Sequence, residues 1–362
     1  MVCAARPPIG TLNEAWSKLV HLEQDVELAP LTTLEVGGRA RYLVRAETEA
    51  DVADGLDFAR ANALRVWVLG GGSNVIVPDR GVDGLVLAIR LRGTRWESSS
   101  ETRVRPEVAA GEPWDGVVAA AVDRGLAGIE CLSGIPGLAG ATPIQNVGAY
   151  GQEISDTLVS VRAYDREDRC FVLLDRAACE FAYRDSVFKS RAAERFIVTS
   201  VCFELEQGGS ANLRYPELRQ RFDAESPALS EVRETVLAIR RTKSMLVEAG
   251  NENRRSCGSF FLNPIVNSSS ADAVAARFPG ESMPRFAQPD GRVKLSAAWL
   301  IERSGLNRGL RSGNVGISSR HALSLVCHAS ATSDELLSFA DSIRRRVEAR
   351  AGVVLSLEPV RF

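Results

Sequence analysis

Three polar positions, far apart in the chain, carry residue types suited to chemistry on a small anionic substrate. The first is Arg184, in the run Tyr183-Arg184-Asp185-Ser186-Val187-Phe188-Lys189. A guanidinium set among apolar neighbours can clamp a carboxylate in bidentate fashion. The competing reading is a surface ion pair, the commoner fate of such an arginine. The second is Ser259, in Ser256-Cys257-Gly258-Ser259-Phe260-Phe261-Leu262-Asn263-Pro264. Gly258 permits close approach, and the two phenylalanines supply apolar walls. No GxSxG surrounds the serine, and the three histidines (His21, His321, His328) are too few to nominate a triad partner. Its hydroxyl reads either as a proton donor, where its surroundings help it lose the proton, or as a turn or capping serine. The third is Glu358, in the closing Leu357-Glu358-Pro359-Val360-Arg361-Phe362. It can meet solvent or sit in a cleft as an acid, and its place in the chain does not choose between them.

Two glycine-rich loops are the other chemical signal. Leu69-Gly70-Gly71-Gly72-Ser73-Asn74-Val75 is not a dinucleotide fingerprint, because Val75 stands where GxGxxG needs glycine. It is not a P-loop either, since no Gly-Lys-Ser/Thr is present. Three glycines after a strand still let backbone N–H groups approach an anion. The plainer alternative is a tight turn with Asn74 at positive φ. The second loop, Gly134 to Gly151, holds five glycines and two prolines in eighteen residues. A stretch this long without periodicity is functional or disordered, and its Ile, Leu, Val and Tyr argue against disorder. Together the loops favour backbone wrapped round a pyrophosphate-bearing cofactor.

These groups need elements to position them. Ala40–Val44, Val66–Leu69 and Gly84–Ile89 read as strands, the second buried, and Thr48–Ala63 as a helix between the first two. A helix follows Pro113 and closes at Gly125. Strands are expected at Leu158–Tyr164, Cys170–Leu174 and Phe196–Leu205, and Gln207–Ser210 is the best linker. Helices are expected at Ser230–Arg241, Ala271–Arg277 and Ala297–Ser304. Ser333 should cap a further helix that Gly352 ends, with Val353–Leu357 as a last strand. Mixed strands and helices without regular βαβ alternation predict an α+β fold.

Composition narrows the function classes. The 362 residues predict two or three domains. Lys and Arg (44) nearly balance Asp and Glu (46), so nothing favours nucleic acid or an anionic membrane as a partner. No apolar run reaches the length of a membrane span. Seven scattered cysteines without a CxxC pair suit a reducing cytoplasm. No Cys/His cluster has metal-ligand spacing, so no metal is expected.

In this order, PLTTLEVGGRA, LGGGSNVIV, GIECLSGIPGLAGATPIQNVGAYG, YRDSVFK, LRYPEL, RRTKSM, SCGSFFLNPIV, QPDGRVKLSAAWLIERSGL and LEPVRF resemble the UDP-N-acetylenolpyruvoylglucosamine reductases (type I branch), flavoenzymes of peptidoglycan precursor synthesis. The resemblance runs from about Pro30 to the C-terminus. It implies an FAD-binding part of the vanillyl-alcohol oxidase type, then an α+β substrate-binding domain. The implied divisions are a lead-in over 1–29, an FAD-binding domain over 30–209 (subdomains about 30–92 and 93–209), a substrate domain over 210–351 and a returning strand over 352–362. The resemblance matches Gly70, Gly71, Gly72, Ser73 and Asn74 to the cofactor cradle. In the second loop it matches Gly134, Ile135, Gly137, Gly140, Ala141, Thr142, Gln145, Asn146, Gly148, Ala149 and Tyr150. With no histidine between His21 and His321, FAD is expected without a histidine link, non-covalently, and NADPH is the hydride source. The resemblance further implies that Arg184 and protonated Glu358 stabilise an enolate and that Ser259 protonates it. Tyr183, Tyr215, Lys243 and Asn263 then match UDP-sugar contacts. Phe286 departs from the tyrosine common in the family, Cys327 from its asparagine, and LEPVRF from its usual LxPEVRF. The expected protein is a cytoplasmic monomer acting on a UDP-sugar enolpyruvyl ether. Another flavin oxidase, or a silent sugar-nucleotide-binding protein, are the rival readings.

Overall fold

The order of strands around the first glycine loop decides where that loop can face. The protein is described here by a computed structural model covering residues 22–223 and 226–362. Cys3, His21 and the lead-in up to residue 21 lie outside the described residues. Leu22–Glu27, Arg39–Ala46, Val82–Ile89 and Arg65–Leu69 lie side by side in that order. The first pair is antiparallel and the other neighbours are parallel. Sequence patterning placed no element before Pro30, yet Leu22–Glu27 is a strand, because its mostly exposed face hides the alternation that marks a strand. The helix Glu49–Ala61 connects two of the parallel strands. Thr48 and Asp51 close a reciprocal capping box at its start, and Val52, Leu56, Phe58 and Ala59 are buried. Arg65–Leu69 is less buried than expected, with Val68 38% exposed, because it is the edge strand. Its C-terminal end runs straight into Gly70. That end of a parallel sheet is where ligands bind in open α/β sheets.

A second, antiparallel sheet is built from Thr94–Ser98, Arg103–Ala109, Leu126–Ala127, Leu158–Asp165, Cys170–Asp175, Phe196–Phe203 and Leu205–Gln207. The single strand expected over Phe196–Leu205 is interrupted at Glu204, whose N–H donates to the Thr157 carbonyl (2.8 Å). Pairing against Arg103–Ala109 then resumes in the same register, from Cys202↔Glu107 to Leu205↔Val104. The helix Trp114–Asp123 covers this sheet. Trp114 is buried against Phe203 (centroids 5.6 Å apart), and its indole N–H donates to the Leu132 carbonyl at 3.2 Å. Leu85 and Leu87 of the first sheet share one apolar core with Val161, Val201 and Phe203 of the second. This shared core fixes the two glycine loops relative to each other.

The last third holds the helices Leu229–Thr242, Ser268–Ala276, Ala297–Arg303 and Ser333–Ala351, with two small antiparallel sheets. Its core of Phe260, Phe261, Leu300, Leu325, Ile343 and Leu355 also takes in Leu34, Val36 and Ile76 from the N-terminal part. Ser333 does not cap its helix. Thr332 does, accepting from the Glu335 N–H at 3.1 Å. The N–H groups of Ser333 and Asp334 donate to the Asp79 carboxylate (2.8 and 2.9 Å), a cap delivered from 254 residues away that local patterning cannot show. Gly352 ends the helix at φ +73° as expected. Val353–Leu357 is not a ladder strand. Val353 and Leu355 are buried in the core while Val354 is exposed, and the last strand is Val360–Arg361, parallel to Val75–Ile76.

Candidate active site

The two glycine loops are pressed face to face. A Cβ on Gly71 would lie 2.8 Å from the Gly137 Cα, and one on Gly72 would lie 2.1 Å from the Leu31 carbonyl oxygen. Gly72, not Asn74, takes the left-handed conformation, at φ +67°. The Ser73 hydroxyl donates across the seam to the Pro136 carbonyl at 3.1 Å. Among the described residues, the N–H groups of Gly71, Gly72, Ser73 and Asn74 find no acceptor. Consecutive free N–H groups beyond a strand end form a nest for an anion, and this nest fits a cofactor pyrophosphate. The second loop is largely self-supporting. Its Gly134 N–H goes to the Asp115 carboxylate (2.6 Å), and those of Gly140, Ala141 and Thr142 go to carbonyls of Ala110, Leu138 and Ala139. The Thr142 hydroxyl is also used internally, on the Ala139 carbonyl at 2.7 Å. Gly137 lines the seam between the loops, and Ile135 packs against the shared apolar core. Gly71→Ala should therefore fold and lose the cofactor whose pyrophosphate the nest fits, because a methyl group there wedges the loops apart. Protein eluting with its yellow absorbance intact would contradict this.

Arg184 sits at the tip of a tight turn. Ala182 and Asp185 exchange both backbone hydrogen bonds (3.0 and 3.2 Å). Arg184 itself is left-handed at φ +55°, a conformation that costs an L-residue roughly 1–2 kcal/mol. Its guanidinium donates to the carbonyls of Gly148 (2.6 Å) and Asn146 (3.3 Å), and its Nε faces Glu358 Oε1 at 3.5 Å. Gly148 is required for this approach, since a Cβ there would lie 3.2 Å from the guanidinium and 2.7 Å from Glu153. Asn146 braces the loop beneath. Its side chain donates to Glu153 (2.8 Å) and the Ala182 carbonyl (3.2 Å), and accepts from the Ser155 N–H (3.0 Å). The surface ion pair that composition alone favoured is not what forms, because Arg184 and Glu358 side chains are only 21% and 13% exposed.

Glu358 arrives by pairing on both sides. Its N–H donates to the Phe260 carbonyl (3.0 Å), and Phe261 bridges Leu357. Two residues on, Val360 N–H donates to the Asn74 carbonyl (3.0 Å). The chain terminus thus joins the Ser259 segment to the first glycine loop. Burial pushes the Glu358 carboxyl up, against the pull of Arg184 and Lys189. Ser259 is half-buried, follows Gly258 at φ +75°, and its hydroxyl has no partner among the described residues.

The remaining predicted residues cluster around this centre in pairs. Asn263 donates to the Tyr183 hydroxyl at 3.2 Å. Tyr150, left-handed and buried, has its phenol pushed up to about 12 by burial and stacks edge-on against Tyr215 at 5.5 Å. Ala149 pairs with Gln152 in the short hairpin whose turn holds Tyr150. Lys243 is engaged by Glu217 (2.7 Å), with its ammonium 5.9 Å from the Tyr150 ring. Gln145 and Asn74, expected on the cofactor, turn toward each other (3.0 Å), and Gln145 donates to Glu358 Oε1 at 3.4 Å. Sequence reasoning missed Lys189 and Lys294 as site residues. Lys294 lies 4.5 Å over the Tyr183 ring. Both stood inside the quoted motifs, and the only signal was a lysine set against apolar neighbours, Phe188 before Lys189 and Val293 and Leu295 on either side of Lys294. A cleft of about 720 Å³, lined by Asn146, Glu153, Arg176, Tyr183, Gln288 and Lys294, opens beside Tyr183.

A nest of backbone donors in an N-terminal α/β part, beside a buried arginine–glutamate pair completed by a C-terminal α+β part, defines an FAD-dependent oxidoreductase. Residues 40–172 match the FAD binding domain family, and residues 250–362 match the C-terminal domain of UDP-N-acetylenolpyruvoylglucosamine reductase. The chain is 44% identical to the UDP-N-acetylenolpyruvoylglucosamine reductase of Saccharopolyspora erythraea over 92% of its own length and 93% of that protein's. It is 43% identical to that of Streptomyces coelicolor, over 93% and 89%. The crystal structure of the reductase from Thermus caldophilus aligns with a TM-score of 0.64 at 26% identity, covering 94% of this chain and 98% of that one. The chain belongs to the UDP-N-acetylenolpyruvoylglucosamine reductase family. The resemblance carried by the motifs, the α+β fold and the FAD cofactor are thereby borne out.

Proposed function

We propose that the chain reduces the enolpyruvyl group of UDP-N-acetylglucosamine enolpyruvate to give UDP-N-acetylmuramate for peptidoglycan precursors, using NADPH. The observation that carries this is the convergence of Arg184, Glu358 and the Ser259 segment beside the nest at residues 71–74. Bound FAD, once reduced by NADPH, supplies the hydride. The free N–H groups of Gly71 to Asn74 are the chain's means of holding the FAD pyrophosphate, without a covalent link. Addition of hydride to the terminal enol-ether carbon leaves negative charge beside the substrate carboxylate. Arg184 is preorganised to meet it, since two carbonyls already fix its guanidinium. Glu358 Oε1 is occupied by Gln145 and Arg184, so the proton of the neutral acid belongs on Oε2, free to donate. Ser259 Oγ, unpartnered among the described residues, gives its proton to the adjacent carbon. Tyr183, Asn263, Tyr215 and Lys243 hold the UDP-sugar, with Lys243 exchanging Glu217 for diphosphate. The reading divides the chain at about residues 30, 210 and 352. It carries with it a cytoplasmic monomer with a small-molecule substrate, and the near-zero net charge favours neither nucleic acid nor an anionic membrane as partner; among the described residues no helix is long and apolar enough to cross a membrane.

Stopped-flow absorbance tests it. NADPH should bleach the purified flavoprotein under nitrogen, and the enolpyruvyl UDP-sugar should restore the colour. A bleached enzyme indifferent to that substrate would end the proposal.

A further inference from the structure

Lys189 is a half-buried ammonium that forms no ion pair among the described residues. Burial of an unpaired cation is unfavourable, so its position needs a reason. Its Nζ donates to the backbone carbonyl of Arg184 at 3.1 Å. That carbonyl belongs to the left-handed residue of the Ala182–Asp185 turn. The backbone that carries this side chain is held in place. The Lys189 N–H donates to the Ser186 carbonyl (3.1 Å), and the Ser186 hydroxyl is anchored on the Ile144 carbonyl (2.6 Å). Phe188 beside it is buried. Four kinds of group face Glu358 besides Lys189: the Arg184 guanidinium, the Gln145 amide, the Tyr183 phenol and the Cys257 thiol. Among these and Lys189, only Arg184 and Lys189 are cations.

We propose that Lys189 is a positioning residue for the reduction. Its ammonium latches the Arg184 carbonyl, holds the turn in the conformation that aims the guanidinium at Gly148, Asn146 and Glu358, and sets a second positive charge beside the acid. Without the latch, the turn is free to leave the costly left-handed region, and the guanidinium leaves with it. Without the charge, the Glu358 carboxyl rises further, because Lys189 is one of the two groups pulling it down. This inference rests on the reading of Arg184 and Glu358 given above.

The test compares wild type, Lys189→Met and Lys189→Arg as flavin-loaded proteins. Reduction by NADPH should stay near the wild-type rate in both variants. Reoxidation by the enolpyruvyl UDP-sugar should fall about 10²-fold in Lys189→Met, the scale of loss from a misplaced reacting group. Lys189→Arg should recover most of that rate. A readout independent of turnover is the carboxyl ¹³C titration of Glu358, assigned by its disappearance in Glu358→Gln. It should move to higher pH in Lys189→Met and stay in place in Lys189→Arg. Wild-type reoxidation in Lys189→Met, an unmoved Glu358 titration, or equal loss in both half-reactions would each overturn the proposal. Should Lys189→Met emerge without flavin, Lys189→Gln decides: it keeps a donor for the carbonyl but no charge, so a shifted titration supports the role and an unmoved one ends it. Failure of the wild type itself to reoxidise with the UDP-sugar would instead sink the proposed reaction.

Discussion

Ser259→Ala is expected to bleach with NADPH as the wild type does and then to remain reduced in the presence of the enolpyruvyl substrate. A positioned general acid contributes about 10²–10⁴-fold, equivalent to about 3–5 kcal/mol of transition-state free energy. The structure gives the variant little reason to misfold. The hydroxyl has no partner among the described residues, so its removal leaves no buried group unpaired. The left-handed turn before it belongs to Gly258, which the substitution does not touch. The neighbouring Phe260 and Phe261 keep their packing, with centroids 5.5 Å apart. Loss should therefore be confined to reoxidation, together with the solvent isotope effect of protonation at carbon. Turnover at the wild-type rate would remove Ser259 as the donor.

The second large effect is expected at Glu358, where sign matters as much as size. Burial raises this carboxyl above the ordinary glutamate value, so in the folded protein it keeps its proton at pH values where the unfolded chain has lost it. Two consequences share that window. The stability the neutral acid contributes is fully present below the ordinary value, and it is lost as pH rises to the raised one. The rate of substrate reduction falls on the same alkaline side, because the ionised form has no proton to offer the enolate. Glu358→Gln mimics the neutral acid in shape and can still accept from Gln145. It should fold with no loss of stability at neutral pH and flatten the alkaline limb of the reoxidation rate. It should run about 10²–10³-fold slower, the usual cost of weakening one oxyanion donor. An alkaline limb that persists unchanged in Glu358→Gln would assign it to another group.

Much of this site was legible in residue types because they report local backbone needs. Gly72, Gly137 and Gly258 stand where φ is positive, and Gly71 where another loop comes within contact distance. Those are steric facts about single positions, so the glycine loops could be recognised as cradle material before any fold was known. The helices were readable for the same reason, since capping and periodicity act within a few residues. Some failures were local, as at the exposed strand Leu22–Glu27 and the cap at Thr332, and others were long-range. Ser333 looked like a cap because a serine in that place often is one, but the cap is its neighbour Thr332, and what local patterning could not show is that Asp79 takes the Ser333 N–H across 254 residues. Val353–Leu357 alternates like a strand, yet the ladder partner Val75–Ile76 is met only at Val360–Arg361. For Arg184 the residues by themselves left a carboxylate clamp and a surface ion pair both open, and only Gly148, Asn146 and the chain terminus closing over it decide its burial.

The residues alone established which backbone conformations and which functional groups the chain carries, because those properties travel with each side chain. Which groups would be buried together was decided only by folding. The raised Glu358 carboxyl, its pairing with Arg184, the guanidinium's hold on Gly148 and the relay through Asn74 and Gln145 depend on contacts between segments 36 to 284 positions apart, or on water excluded by those contacts. An unfolded chain exposes the same groups to solvent, where they hydrate separately and titrate near their ordinary values.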